Sequence, residues 1–478
     1  LPKRKIFLNA HFVFFMLIYE VHPNGWVWDQ ERIPEFAAGS LLKEKTAMVA
    51  EKLRVHIFDM VTSIARVVDM MSPAIGKHHM QVSYLAYQLA GELNFSDEKK
   101  FEVFMAGALH DVGAFSLEDR LDLLEFEDTK PGEHSMAGSL ILGSFKPFSV
   151  IARLVKFHHV PWKNGKGAFQ NEEPVPVRSH IIHLADRVAV KISKKEPVLS
   201  QVRGICHAIS ELKGEVFVPG HVEAFLNMAK REYIWLDVIS DSIEAVLKRA
   251  IINRTNELTI EEMVEFSRLI CRLIDFKSKF TAAHSSGVAS VAIELSKLAG
   301  FSKNERKLIE IAAYLHDLGK LAIPSEILEK QDKLTDNERF IMRSHVYHTY
   351  AVLESFEMLR VAGYWGALHQ ERLNGTGYPF GLKSDELPLG SRIMAVADVF
   401  TALTEDRPYR KGMDPKNAIT VLESMVGAGE LDGALVDMVF KNYDEINGIR
   451  DSAQKEAMRN YNAFRKILNR DVKKTFEG

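Results

Sequence analysis

A histidine followed directly by an aspartate closes an apolar helical run at Tyr314-Leu315-His316-Asp317-Leu318-Gly319-Lys320. The same pair stands 206 residues earlier (316 − 110), in Ala108-Leu109-His110-Asp111-Val112-Gly113. One such pair constrains little, but the residues around both recur in order. His78 precedes the first pair as His284 precedes the second, again 206 apart. His134 and His345 lie 211 apart, as do His158 and His369, and Asp186 and Asp398 lie 212 apart. With 18 histidines in 478 residues, an ordered coincidence of this kind requires duplication of one unit. The copies run roughly from Lys45 to Lys195 and from Thr259 to Ala418.

Each copy reads as helix almost throughout. Val61 to Val68 and Val82 to Leu93 carry apolar residues at three- and four-residue spacing, and alternating strand patterns are scarce. Thr259/Glu262, Ser302/Glu305 and Thr335/Glu338 have the spacing of capping boxes that start helices. Gly113 and Gly319 fall where helix-ending glycines belong, and Ser179 and Ser391 are read as N-caps for the helices bearing Asp186 and Asp398. The expected fold is all-α: two tandem helical bundle domains, at 41–200 and 259–478, joined by a helical connector at 201–258.

Residues 1–40 are set apart. Leu1 is not an initiator, Ile6 to Tyr19 is apolar but shorter than the ~20 residues of a membrane span, and Ile33 to Ser40 has the look of an engineered linker. A membrane protein is therefore not expected. A net charge of −3 argues against a protein that coats polymeric nucleic acid. Two cysteines, Cys206 and Cys271, supply neither a disulfide framework nor a thiolate zinc cluster, which fits a reducing cytoplasm. The chain is compatible with a homodimer.

The order His, His-Asp, His, His, Asp in each copy suits a di-metal centre of Mn, Fe, Ni or Zn, since imidazole and carboxylate together favour these ions. An aspartate beside a histidine can bridge two ions while its neighbour binds one, and the remaining histidines would arrive from separate helices of a bundle. Two ions about 3.5–4 Å apart stabilise in-line displacement at phosphorus. Any one of these histidines alone would be an ordinary structural residue.

Beyond the ligands, His369-Gln370-Glu371-Arg372-Leu373-Asn374-Gly375-Thr376-Gly377-Tyr378-Pro379 and the run Ala397-Asp398 to Arg407-Pro408-Tyr409-Arg410 resemble the HD-GYP phosphodiesterases, as do His284-Ser285 and His316 to Lys320. The resemblance covers nearly all of the second copy. It implies a bacterial signalling enzyme that opens a cyclic dinucleotide, cyclic di-GMP or cyclic GMP-AMP, to a linear 5′-phosphorylated product. It further implies that His284, His316, Asp317 and Asp398 hold one ion and Asp317, His345 and His369 the other, with Lys320 beside the scissile phosphate. Arg407 and Arg410 would grip phosphate, and Gly375, Gly377, Tyr378 and Pro379 would shape the pocket lip. Two departures are visible. Gln370 stands where the family has a second histidine, so the second ion is expected to bind more weakly or to take a water. Phe280 stands where three-metal members have a glutamate, so two ions are expected.

The first copy is similar to a generic HD-superfamily domain. His78, His110, Asp111, His134, His158, His159 and Asp186 complete its ligand set, but Ala114 replaces the lysine and no Gly-Tyr-Pro follows. A second, 5′-nucleotidase-like phosphohydrolase activity on the linear product is the corollary. The alternative for the whole chain is a catalytically weak sensor or signalling scaffold.

Overall fold

The computed structural model describes residues 53–69, 76–114, 131–251, 257–277, 283–330, 332–354, 356, 359–406 and 411–476. The calls on residues 1–40, Phe280, Arg407 and Arg410 lie outside them. Among the described residues the regular elements are helices apart from two antiparallel pairs of two-residue strands. None of the described helices is long and apolar enough to cross a membrane.

In the first copy, β1 (Val55–His56) leads into α1 (Ile57–Asp69), α2 (His78–Glu92) and α3 (Asp97–Ala108). After the His110-Asp111 turn come α4 (Pro131–Leu142), α5 (Ser149–Lys156), a hairpin of β2 (Phe169–Gln170) and β3 (Glu173–Pro174), and α6 (Val177–Lys191). Four helices follow, α7 (Val198–Glu211), α8 (Pro219–Met228), α9 (Glu232–Ile239) and α10 (Ile243–Ile251), of which the last three pack back on α2. The second copy repeats the order: β4 (Glu257–Leu258), α11 (Ile260–Lys277), α12 (His284–Leu298), α13 (Lys303–Leu315), a 3-10 turn at Leu318–Ala322, and α14 (Ser325–Leu328). It continues with α15 (Asp336–Glu354), α16 (Arg360–Ala367), α17 (Leu389–Thr404), α18 (Pro415–Gly427), α19 (Gly433–Lys441) and the 34-residue α20 (Tyr443–Phe476).

All three capping boxes form. Thr259 and Glu262 exchange bonds of 2.9 and 3.3 Å, Ser302 and Glu305 of 2.8 and 3.3 Å, and Thr335 and Glu338 of 2.7 and 3.3 Å. Ser179 and Ser391 are not caps. They lie inside the first turns of α6 and α17, and their hydroxyls donate to Leu154 O at 3.0 Å and Tyr364 O at 3.2 Å, tying each helix to the one before it. Gly113 and Gly319 also differ from expectation, because neither has the positive φ of a helix-ending glycine. Their reason is proximity. A Cβ on Gly319 would lie 2.0 Å from His345 O, and one on Gly113 would lie 2.1 Å from His134 O. Each His-Asp turn thus presses against the backbone of the helix that supplies the next histidine.

The copies share one apolar core. Phe266 of α11 meets Phe145 and Phe148 of the first copy edge-on at 5.5 and 5.7 Å. All three rings are fully buried, which stabilises the junction by roughly 1.5–3 kcal/mol per ring. The contacts are reciprocal: α1 lies against the 3-10 turn and α15 of the second copy, and α11 lies against α4 of the first. β1 and β4 pair antiparallel, Val55 opposite Leu258 and His56 opposite Glu257.

Candidate metal centres

In the second copy every expected ligand within the described residues converges. His284 opens α12, and His316 and Asp317 follow directly on α13. His345 lies in α15, His369 follows α16, and Asp398 sits in α17. His284 Nε2 lies 3.1 Å from Asp398 Oδ1, His316 Nε2 3.1 Å from Asp317 Oδ2, and His345 Nε2 3.3 Å from Asp317 Oδ1. Two groups, His284 with His316 and Asp317, and Asp317 with His345 and His369, each place their ligand atoms within 4.8 Å of one another. Asp317 belongs to both, as a bridging carboxylate should.

Local backbone sets the tautomers. His316, His345 and His369 each direct Nδ1 to the carbonyl three residues back, Ala313, Met342 and Gly366, at 2.7, 2.5 and 2.8 Å. A ring that donates its Nδ1 proton there presents the Nε2 lone pair to the site. His316 Nε2, His345 Nε2 and Asp317 Oδ1 are buried and make no hydrogen bond. Orphaned buried polar atoms of this kind cost free energy, and a divalent cation is the partner whose chemistry suits them all.

Charge follows the same design. Burial opposes ionisation of Asp317, but the His316 ring and the Lys320 ammonium outweigh it and hold the carboxyl well below the usual range. Lys320 Nζ sits 2.6 Å from Asp317 Oδ2. Burial lowers His369 to about 3, keeping it neutral and fit to ligate. His284 is also opposed by burial, yet the Glu405 and Asp398 carboxylates push it up to about 10. Without a cation these carboxylates attract a proton instead, so metal binding there displaces one.

Gln370 is not aimed as a ligand. Its Nε2 donates to Asp398 Oδ2 at 3.0 Å, so it steadies a carboxylate of the centre. Glu371, almost wholly buried, accepts from the backbone N–H groups of Phe380, Gly381 and Leu382 at 2.7, 3.2 and 3.0 Å and pins the lip. Gly375 turns with φ +79, and a Cβ on Gly377 would lie 2.4 Å from Arg372 N. Tyr378 stands beside the centre: burial pushes its phenol up to about 12, with Asp398 and Asp317 adding to the rise. The Arg343 guanidinium lies 4.2 Å from its ring centroid. Glu371 and Arg343 were not singled out in the sequence. An acid shortly before a glycine-rich run, whose free backbone N–H groups need an acceptor, is the one signal that could have marked Glu371.

The first copy assembles an equivalent centre. His78 Nε2 faces Asp186 Oδ1 at 3.1 Å, His110 Nε2 faces Asp111 Oδ2 at 3.1 Å, and His134 and His158 reach Asp111 Oδ1 at 3.4 and 3.5 Å. His159 Nε2 lies 3.0 Å from His134 Nε2 and joins the group around Asp111. The Nε2 atoms of His78, His110 and His158, with Asp111 Oδ1 and Asp186 Oδ1, are likewise buried without a hydrogen bond. The backbone at Ala114 matches that at Lys320, their N–H groups donating to Asp111 O and Asp317 O at 3.0 and 2.9 Å. Only the cationic side chain differs. Arg187 instead brings a guanidinium to Asp186 Oδ2, at 2.7 Å.

Models of the HD domain match residues 75–191 and 268–435. The chain is 31% identical over 389 residues to 3′3′-cGAMP-specific phosphodiesterase 1 of Vibrio cholerae serotype O1, spanning 79% of this chain and 90% of that protein. It is 36% identical over 183 residues to the cyclic di-GMP phosphodiesterase response regulator RpfG of Xanthomonas campestris pv. campestris, spanning 38% of this chain and 48% of that one. A crystal structure of a cyclic GMP-AMP specific phosphodiesterase of V. cholerae (V-cGAP3) superposes with a TM-score of 0.54 at 18% identity, over 85% of this chain and 98% of that one. At that identity the likeness is one of fold.

Proposed function

Since the chain belongs to the HD-GYP phosphodiesterases of the HD-domain family, we propose that its second domain is a metal-dependent phosphodiesterase that opens a cyclic dinucleotide to a linear 5′-phosphorylated product. The observation that carries this reading is the pair of buried ligand groups sharing Asp317, with His316 Nε2, His345 Nε2 and Asp317 Oδ1 orphaned. Divalent ions, when bound, supply Lewis acidity and an activated water for displacement at phosphorus. His284, His316, Asp317 and Asp398 would hold one ion, and Asp317, His345 and His369 the other. Lys320 neutralises charge that develops on the phosphoryl oxygens. Gln370 keeps Asp398 oriented, and Glu371 holds Gly377, Tyr378 and Pro379 at the edge of the centre. Arg407 and Arg410 are assigned to the phosphates on the resemblance alone.

The relative matched over most of its length is named for 3′3′-cGAMP, so that compound is the first substrate to test, with cyclic di-GMP beside it. Protein loaded with Mn2+ or Fe2+ should convert at least one of them to a linear product resolved by chromatography, and Asp317→Ala should not. No turnover of either compound would refute the reading. The first domain's own orphaned cluster supports a second phosphohydrolase activity on the linear product, and unchanged product pattern and rates in Asp111→Ala would remove it.

A further inference from the structure

His284 differs from the other ligand rings of its centre in what holds it. His316, His345 and His369 lean on their own chain three residues back, whereas His284 directs Nδ1 to the Glu405 carboxylate, Oε2 at 3.0 Å. Glu405 follows directly on α17, and its carboxylate is buried and points back into the bundle. The same oxygen accepts from Gln454 Nε2 of α20 at 2.9 Å. Gln454 Oε1 in turn accepts from Arg450 Nη1, and Arg450 Nε donates to Asn447 Oδ1 at 2.9 Å. Arg450 is itself buried. One turn beyond His284, a Cβ on Gly287 would lie 2.8 Å from Gln454 Nε2, so a glycine there lets α20 approach closely enough for the bond.

We propose that Glu405, held by Gln454, is a positioning residue for the second metal centre, and that the C-terminal helix is therefore a working part of that centre. The inference rests on the reading that His284 binds a metal ion. A carboxylate that accepts a hydrogen bond from Nδ1–H fixes the ring plane, leaves the Nε2 lone pair facing Asp398 and raises the basicity of the ligand; loss of such a partner typically costs 10- to 100-fold in metal affinity or activity. Gln454 does the same one step further out, by fixing the carboxylate. Helix α20 is about 50 Å long, packs along α12, and reaches α4, the helix of the first domain that bears His134. Phe464, ten residues past Gln454, stacks on Phe276 of α11 at 4.2 Å and anchors it. One rigid element thus orients a ligand of the second centre and docks on the first domain.

The test measures Mn2+ stoichiometry and affinity by titration of the metal-free full chain, in an Asp111→Ala background that disables the first centre. Glu405→Ala should lose roughly 10- to 100-fold in Mn2+ affinity, Gln454→Ala less and in the same direction, and Glu405→Gln should be intermediate because it keeps an acceptor for Nδ1. Raising Mn2+ should restore kcat in each while KM for the dinucleotide stays unchanged, which a general packing defect would not produce. Circular dichroism checks the fold, and if Glu405→Ala does not fold, the two milder variants decide. If the Asp111→Ala parent takes up Mn2+ and folded variants match its affinity, the inference falls alone. If that parent takes up none, the reading of the centre falls and the inference with it.

Discussion

Replacing Gly319 with alanine tests how tightly the second His-Asp turn is built. The new Cβ would lie 2.0 Å from the His345 carbonyl oxygen, 2.8 Å from its carbon and 2.9 Å from His348 Cβ. Ordinary contact begins near 3.4 Å, so the turn and α15 have to separate by about 1.4 Å. Thr349 clamps that junction, accepting from Gly319 N–H at 2.9 Å and donating to His316 O at 3.1 Å. Overpacking costs about 1–3 kcal/mol, and straining the two bonds adds about 1 kcal/mol each, so destabilisation of roughly 3–5 kcal/mol is expected. The larger effect falls on chemistry. Ligand distances have to hold within about 0.2 Å, and a misplacement near 1 Å costs about 100-fold in rate. Gly319→Ala should therefore fold with a lowered Tm, bind less metal and lose at least ~100-fold in kcat. Thermal melts, metal analysis and single-substrate kinetics measure all three. A folded variant with full metal content and turnover within a few-fold of the parent would refute the close-approach argument.

Three further outcomes follow from the same geometry. Lys320→Met should lower kcat by roughly 100- to 1,000-fold with little change in KM; an effect confined to KM would place the lysine in ground-state binding instead. Glu371→Ala strands three backbone N–H groups, and should loosen the lip at a cost of roughly 1–3 kcal/mol for each that water does not reach, raising KM more than it lowers kcat; unchanged KM in substrate titrations would contradict that role. Burial lowers His221 and His348 from 6.5 to about 4. Between those values the unfolded chain binds protons that the folded one excludes, so the contribution of these two rings to stability is full above about 6.5 and is lost as pH drops toward 4. Calorimetric Tm values that stay level from pH 7.5 to 4.5 would refute this.

The candidate ligands, which the fold brings together, were legible because metal chemistry restricts residue type, and because the duplicated order separated them from other histidines. Their partners were not, since a hydrogen bond leaves no trace in spacing when it crosses the fold. Glu405 reaches His284 from 121 residues away, and Gln454 reaches Glu405 from 49. Gln370 reads as a missing ligand in one dimension and proves to be a donor to Asp398 in three. Ser179 and Ser391 carried a real signal with the wrong meaning: a serine one turn inside a helix can tie it to a neighbour as readily as a serine before it can cap it. The glycines after each His-Asp pair misled in the same way, because close approach and positive φ select the same residue.

The antiparallel β1–β4 pair and the reciprocal packing of α1 and α11 have a consequence for how the halves have been able to change. A contact in which each copy offers the same surface to the other is isologous, the form found in twofold homodimers. Covalent linkage of such a pair removes the requirement that both sites carry the same side chains. Lys320 with Gln370 on one side, and Ala114 with His159 on the other, are combinations that no symmetric assembly of one gene product could hold at once. In one chain the two sites are separately adjustable, while still joined at the shared seam.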